Sequence, residues 1–158
     1  VGKKTGPNPT DRAKKGTKKS VLTDGRGAPV GIAVGGANTP DFKLMRNTVE
    51  SMPVPRPAAA EGQLQHLCVD LGYDYDEVRA LAEEFGFTLH LPPRKPHAKK
   101  VKRSASKKAR RWVVERTHSW LTRFRRLLVR WEKREDTYLA MLHFALGIIT
   151  WFHALLPK

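Results

Sequence analysis

Asp70 and Glu115 are the two residues whose setting could support chemistry. Asp70 closes the short apolar run Leu67-Cys68-Val69 and stands just before Gly72-Tyr73-Asp74. Glu115 lies in a basic stretch with Arg110, Arg111 and Arg116 around it. An isolated acid among arginines at helical spacing reads most simply as a salt-bridge partner. The sharper reading makes it a metal ligand facing Asp70. Carboxylates on neighbouring elements can hold Mg²⁺ with few protein ligands, because the ion keeps waters and takes phosphate oxygens. Two such ions can activate a water or a 3′-hydroxyl and stabilise the leaving oxygen. On that reading the two carboxylates lie within about 8 Å of each other.

Other candidates are weaker. His118 sits one helical turn after Glu115 and reads as a surface or packing residue. His66, His90, His97, His143 and His153 show no ligand-like spacing, and with one cysteine, Cys68, a structural zinc site is not expected. Trp112 and Trp120 could stack on bases, but their spacing along one helix favours core packing. The lone cysteine excludes an internal disulfide and points to a reducing compartment. The first residues hold no apolar signal core, so secretion is not expected and a cytoplasmic location is.

The elements that must position the two acids can be read in order. Residues 1–19 form an extended basic arm. Ser20–Leu22 and Pro29–Val34, separated by Asp24-Gly25-Arg26-Gly27, predict a hairpin. After the loop from Gly35 to Pro40, Asp41 is placed to cap a helix over Phe42–Met52, with Phe42, Leu44, Met45 and Val49 on its apolar face. Leu67–Val69 is a strand. Tyr73–Phe85 is a helix that Gly86 stops, and Phe87–Leu91 is a second strand. Residues 92–108 are a basic linker. A long helix from Ala109 to Glu132 carries Trp112, Val113, Trp120, Leu121, Phe124, Leu127 and Leu128 as its apolar stripe. A last apolar helix covers Tyr138–Leu156. That helix is long enough to suggest a membrane span, but it contains His143, Thr150, His153 and Gly147, and no membrane partner is expected. This order suits an α/β domain with a mixed sheet flanked by helices.

Charge is segregated along the chain. The net charge is +15. Residues 1–20 carry seven bases and one acid, residues 21–93 ten acids and five bases, and residues 94–134 seventeen bases and two acids. An acidic middle between basic flanks fits a metal-holding carboxylate centre beside surfaces that grip a polyanion. Lys99, Lys100, Lys102 and Arg103 are candidate phosphate contacts.

Several segments resemble bacterial insertion-sequence transposases of the DDE type, in the group similar to insertion sequence five. Leu67-Cys68-Val69-Asp70-Leu71-Gly72-Tyr73-Asp74 resembles the segment carrying that family's second catalytic Asp. Arg111-Trp112-Val113-Val114-Glu115-Arg116-Thr117-His118-Ser119-Trp120 resembles its signature helix, in which an Arg, three residues and a Glu supply the third acid. The run Arg123-Phe124-Arg125-Arg126-Leu127 with Arg130-Trp131-Glu132 continues the pattern. Upstream, Lys4–Arg12, Thr23–Pro29, Gly36-Ala37-Asn38 and Asp41 also fit. The sequence departs from the family at Leu71, where Lys is usual, and at Lys108, where Tyr is usual.

The resemblance implies an RNase H-like fold over residues 20–158, Mg²⁺ or Mn²⁺ as cofactor, and DNA ends and target DNA as partners within a homo-oligomer. It makes Asp70 and Glu115 catalytic metal ligands. It makes Arg116, Arg123, Arg125 and Arg126 DNA contacts alongside Lys99, Lys100, Lys102 and Arg103, and gives Arg111 either a DNA phosphate contact or the orienting of Glu115. The family's first Asp sits on a strand ahead of the Lys-Thr-Gly-Pro arm in which this sequence starts. That strand and its Asp are therefore expected to be missing, since neither Asp11 nor Asp24 reads as a ligand. The chain alone is then expected to cleave DNA weakly or not at all. The competing readings are a non-catalytic DNA-binding remnant and a basic RNA- or ribosome-associated protein.

Overall fold

The computed structural model describes residues 3–58, 63–92 and 111–155. The expected basic linker, with Lys99, Lys100, Lys102 and Arg103, lies outside the described residues. The chain divides into two compact units, Val1–Val54 with Val113–Lys158, and Pro55–Trp112.

In the first unit, β1 (Gly6–Pro7), β2 (Lys15–Thr23) and β3 (Pro29–Gly36) form an antiparallel sheet. The expected hairpin is present and longer than its apolar runs suggested, since β2 already begins at Lys15 and β3 runs on through Gly36. Lys15–Lys19, read as part of an extended arm, are strand residues. Asp24 organises the turn: its carboxylate accepts from the N–H of Arg26 at 2.9 Å and of Ala28 at 2.8 Å. Gly27 follows at φ +95°, a conformation that side chains disfavour.

Helix α1 (Asp41–Glu50) buries Leu44, Met45, Thr48 and Val49 on the sheet. Asp41 does not cap it. Pro40 holds the cap position without a side-chain bond, and the Asp41 carboxylate instead pairs with Lys18 at 3.2 Å. The helix lies so close that a Cβ on Gly31 would stand 2.4 Å from the Thr48 carbonyl oxygen. At the helix end, the Ser51 hydroxyl accepts from the Ile32 N–H at 2.8 Å.

In the second unit, β4 (Gln65–Cys68) and β5 (Phe87–His90) pair in parallel through helix α2 (Asp76–Glu84). A parallel pair needs such a crossover. The helix expected from Tyr73 begins instead at Asp76, and Tyr73 closes a separate 3₁₀ turn, Leu71–Tyr73. Val78, Leu81 and Ala82 on α2 and Leu67 on β4 are buried. Gly86, at φ +66°, ends the excursion as expected. Arg56 stacks over the Phe87 ring at 4.0 Å and donates to the Phe85 carbonyl.

The predicted continuous helix to Glu132 is interrupted. Helix α3 (Arg111–Arg123) stops at Phe124, whose backbone is extended, and a short α4 (Arg125–Leu128) follows. An unbroken helix would put Leu121 and Leu128 on one face. The break rotates the chain so that Leu127 is buried and Leu128 is exposed. The Leu127 carbonyl oxygen then accepts from Lys19 Nζ at 3.1 Å.

Helix α5 (Glu135–Leu155) is long and apolar enough to cross a membrane by length and composition. Its packing is that of a core helix on one side. Tyr138, Leu142, Ala145, Leu146 and Ile149 join Ile32, Val34, Leu121 and Leu127 in one buried cluster. Arg130 fastens its start, with its guanidinium 4.7 Å over the Tyr138 ring while donating to Thr17 Oγ1 and the Lys3 carbonyl. Among the described residues the strands therefore form two small sheets rather than one mixed sheet, each completed by its own local connection, a hairpin or a βαβ crossover.

Two glycines separate packing from propensity. Gly31→Ala forces α1 off the sheet and is expected to cost about 1–3 kcal/mol. Gly147→Ala lies inside α5 with nothing within 4 Å of the added Cβ, and is expected to stabilise by roughly 1 kcal/mol through helix propensity. Urea denaturation of the two variants beside the parent checks both signs.

Candidate active site

Asp70 sits where the parallel pair ends. The ladder continues one residue past β4, with the Val69 N–H donating to the His90 carbonyl at 3.1 Å. Asp70 is then half-buried in extended conformation and caps the 3₁₀ turn, its Oδ1 accepting from the Gly72 N–H at 2.8 Å. That bond holds the carboxylate in one rotamer. The carboxyl ends of parallel strands are where open α/β sheets bind ligands. The sequence places an Asp there because its short acceptor can bond the backbone two residues on and stop the strand.

Glu115 belongs to the other unit, on the exposed side of α3. The opposite side of that helix carries Val113, Thr117 and Leu121, at 3%, 0% and 0% exposure. The Thr117 hydroxyl donates to the Gly27 carbonyl at 2.7 Å. This contact binds the middle of α3 to the hairpin turn and sets the rotation that turns Glu115 outward. Arg116 is held by the same turn. Its guanidinium donates to the Arg26 carbonyl and lies 5.2 Å from the Trp120 ring centre.

The remaining arginines divide by partner. Arg123 and Arg125 are exposed. Arg126 is exposed and pairs with Glu132 at 3.0 Å. The Glu132 side chain is 6% exposed, so Arg126 keeps a buried carboxylate paired. Arg111 opens α3. Trp120 packs against the core as expected and faces the His153 ring at 4.9 Å. Trp112, expected in the core, is 50% exposed instead.

Within either unit, no three His, Cys, Asp or Glu side chains among the described residues are gathered as a metal site. Asp70 nonetheless fits a hard cation: it is an oxygen donor in a fixed rotamer at a strand end, and Mg²⁺ needs only one or two such carboxylates beside water and phosphate.

Two pairings escaped the linear reading. Lys19 on β2 acts on His118 of α3. Burial, and then the Lys19 charge, hold the His118 imidazole below its ordinary range, and burial also lowers the Lys19 ammonium. His66 and His90, which show no ligand-like spacing along the chain, meet across β4 and β5 with Nδ1 and Nε2 2.7 Å apart. Strand alternation could have placed them on one face, but the register that joins them is set by the α2 crossover.

A family model described as "Transposase DDE domain" matches residues 2–149. The chain belongs to the DDE transposase family. A protein of Burkholderia cepacia named as a transposase for insertion sequence element IS402 is 35% identical over 150 residues, covering 94% of this chain and 69% of that protein. No solved structure matches this one. Family membership supports DNA transposition in general as the process this protein serves, and it displaces the reading as an RNA- or ribosome-associated protein.

His118 gives a pH prediction. Its folded pKa lies below its unfolded one, so the unfolded chain binds more protons as pH falls through the ordinary His value. The contribution is intact above that value and is lost as pH falls toward the lowered folded pKa. Melting temperature should therefore decline between about pH 7 and pH 5, less steeply in His118→Gln. Lys19→Met should move the His118 ring titration, followed by NMR, back toward its ordinary range.

Proposed function

We propose that this transposase-family chain supplies Asp70 and Glu115 to a divalent-metal centre that cleaves and joins DNA at insertion-sequence ends. The observation that carries the reading is Asp70 locked at the carboxyl end of a parallel strand, in a chain whose α3 bears the Arg111–Glu115 signature spacing. An RNase H-like fold is part of the proposal. Mg²⁺ or Mn²⁺, when bound, supplies charge neutralisation at phosphate and a more acidic water. The chain's own residues do the rest. Asp70 and Glu115 orient the ion's ligand sphere. Arg111, Arg116, Arg123, Arg125 and Arg126, with Lys99, Lys100, Lys102 and Arg103, hold the DNA backbone. Arg116 does so only by loosening its hold on the hairpin turn. The active complex is a homo-oligomer on two DNA ends, in the cytoplasm.

The test is cleavage of element-end DNA by the protein translated in full from its gene, with Mg²⁺ or Mn²⁺. Asp70→Asn and Glu115→Gln are each expected to reduce cleavage by about a thousandfold or more, because ligands of one centre fail as a unit, with DNA binding retained. Binding without any cleavage, and no effect of either variant, would favour a protein that holds DNA but does not cut it.

DNA affinity itself should be strongly salt dependent. Replacing Lys99, Lys100, Lys102 and Arg103 with Ala is expected to flatten the log–log salt slope by about 3–4, close to one unit per lost phosphate contact. Fluorescence anisotropy across a salt series measures it, and an unchanged slope places the DNA surface elsewhere.

A further inference from the structure

Outside the acidic centre, the second unit carries another set of metal-type donors. In the parallel register, His66 stands opposite Thr88 and Cys68 opposite His90. Side chains alternate along each strand, and burial follows the alternation. Leu67 is buried, whereas His66, Cys68 and His90 are all exposed. Three donors therefore share the outer face of a two-stranded ribbon, with Cys68 two residues from His66 along β4 and directly paired with His90 across to β5.

Two of them have already converged. The His90 Nε2 and His66 Nδ1 atoms are 2.7 Å apart, and the ring centres are 4.8 Å apart at 59°. A tetrahedral ion with metal–nitrogen bonds of about 2.0–2.1 Å holds its ligand nitrogens roughly 3.3 Å apart. A small outward movement of exposed rings thus converts the imidazole–imidazole hydrogen bond into a chelate.

We propose that His66, His90 and Cys68 form a binding site for a zinc-class divalent cation, with water in the fourth position. No three donors are yet gathered among the described residues. The site closes by rotation of the exposed Cys68 side chain, a free thiol. Imidazole and thiolate select borderline and soft ions, whereas carboxylates select Mg²⁺ and Mn²⁺. The site is therefore chemically separate from one built on Asp70 and Glu115, and it does not depend on the transposition reading. Its consequence is a cross-link between β4 and β5 two residues ahead of Asp70.

The chelator-stripped full chain is titrated with Zn²⁺ by calorimetry and with Co²⁺ by absorption. One Zn²⁺ per chain is expected, and Co²⁺ should develop near-ultraviolet thiolate-to-metal charge transfer. Cys68 is the only cysteine in the chain, so that band can arise nowhere else. It should vanish in Cys68→Ser and, without any mutation, after alkylation of Cys68. His66→Gln and His90→Gln should each weaken Zn²⁺ binding by at least about tenfold, and Asp70→Asn should leave it unchanged. Absence of stoichiometric uptake, a cobalt spectrum without the thiolate band, or Zn²⁺ binding undiminished in both histidine variants overturns the proposal.

Discussion

A buried hydroxyl must find an acceptor or cost the full desolvation of its polar atom. Thr117 is wholly buried and meets that demand with the Gly27 carbonyl, 2.7 Å away. Much of the first unit depends on this bond. Gly27 can present its carbonyl because the Asp24 carboxylate has folded the turn and because φ of +95° is open to glycine. With Thr117 tied there, α3 can rotate only so that Val113 and Leu121 face inward and Glu115 outward. Arg116 then reaches the neighbouring Arg26 carbonyl. Two segments ninety residues apart, an Asp-Gly turn and a basic helix, are thus one structural device.

The same logic holds on a smaller scale in the second unit. An Asp at the end of β4 bonds the Gly72 N–H, stops the strand and fixes its own rotamer. The crossover helix covers one face of the β4–β5 pair with Val78, Leu81 and Ala82. It thereby leaves the alternate residues, the two histidines and the cysteine, on the other face. Structure and chemistry come from a single alternation.

What could be read in advance was local. The hairpin, α1, the β4–α2–β5 order and the terminal helix follow from turn chemistry and apolar periodicity, and Asp70 is legible as a strand-ending acid. The break at Phe124 is not, because periodicity across it continues smoothly and only burial of Leu127 rather than Leu128 reveals the rotation. The cap of α1 was misread for a similar reason. Asp41 has the right side chain, but Lys18 on β2 competes for it, and that contact is tertiary. The His66–His90 pair is a matter of register, which spacing along one chain does not contain. The resemblance made Arg116 a DNA contact, whereas its guanidinium also fastens the hairpin turn.

The central claim is that Asp70 and Glu115 serve one ion. Anomalous diffraction from crystals of the gene's full protein bound to element-end DNA and soaked in Mn²⁺ tests it directly. The account predicts a manganese peak with an oxygen of Asp70 and an oxygen of Glu115 both in its coordination sphere, at about 2.0–2.2 Å. Manganese bound by neither carboxylate, or by each in a separate and distant site, would contradict it.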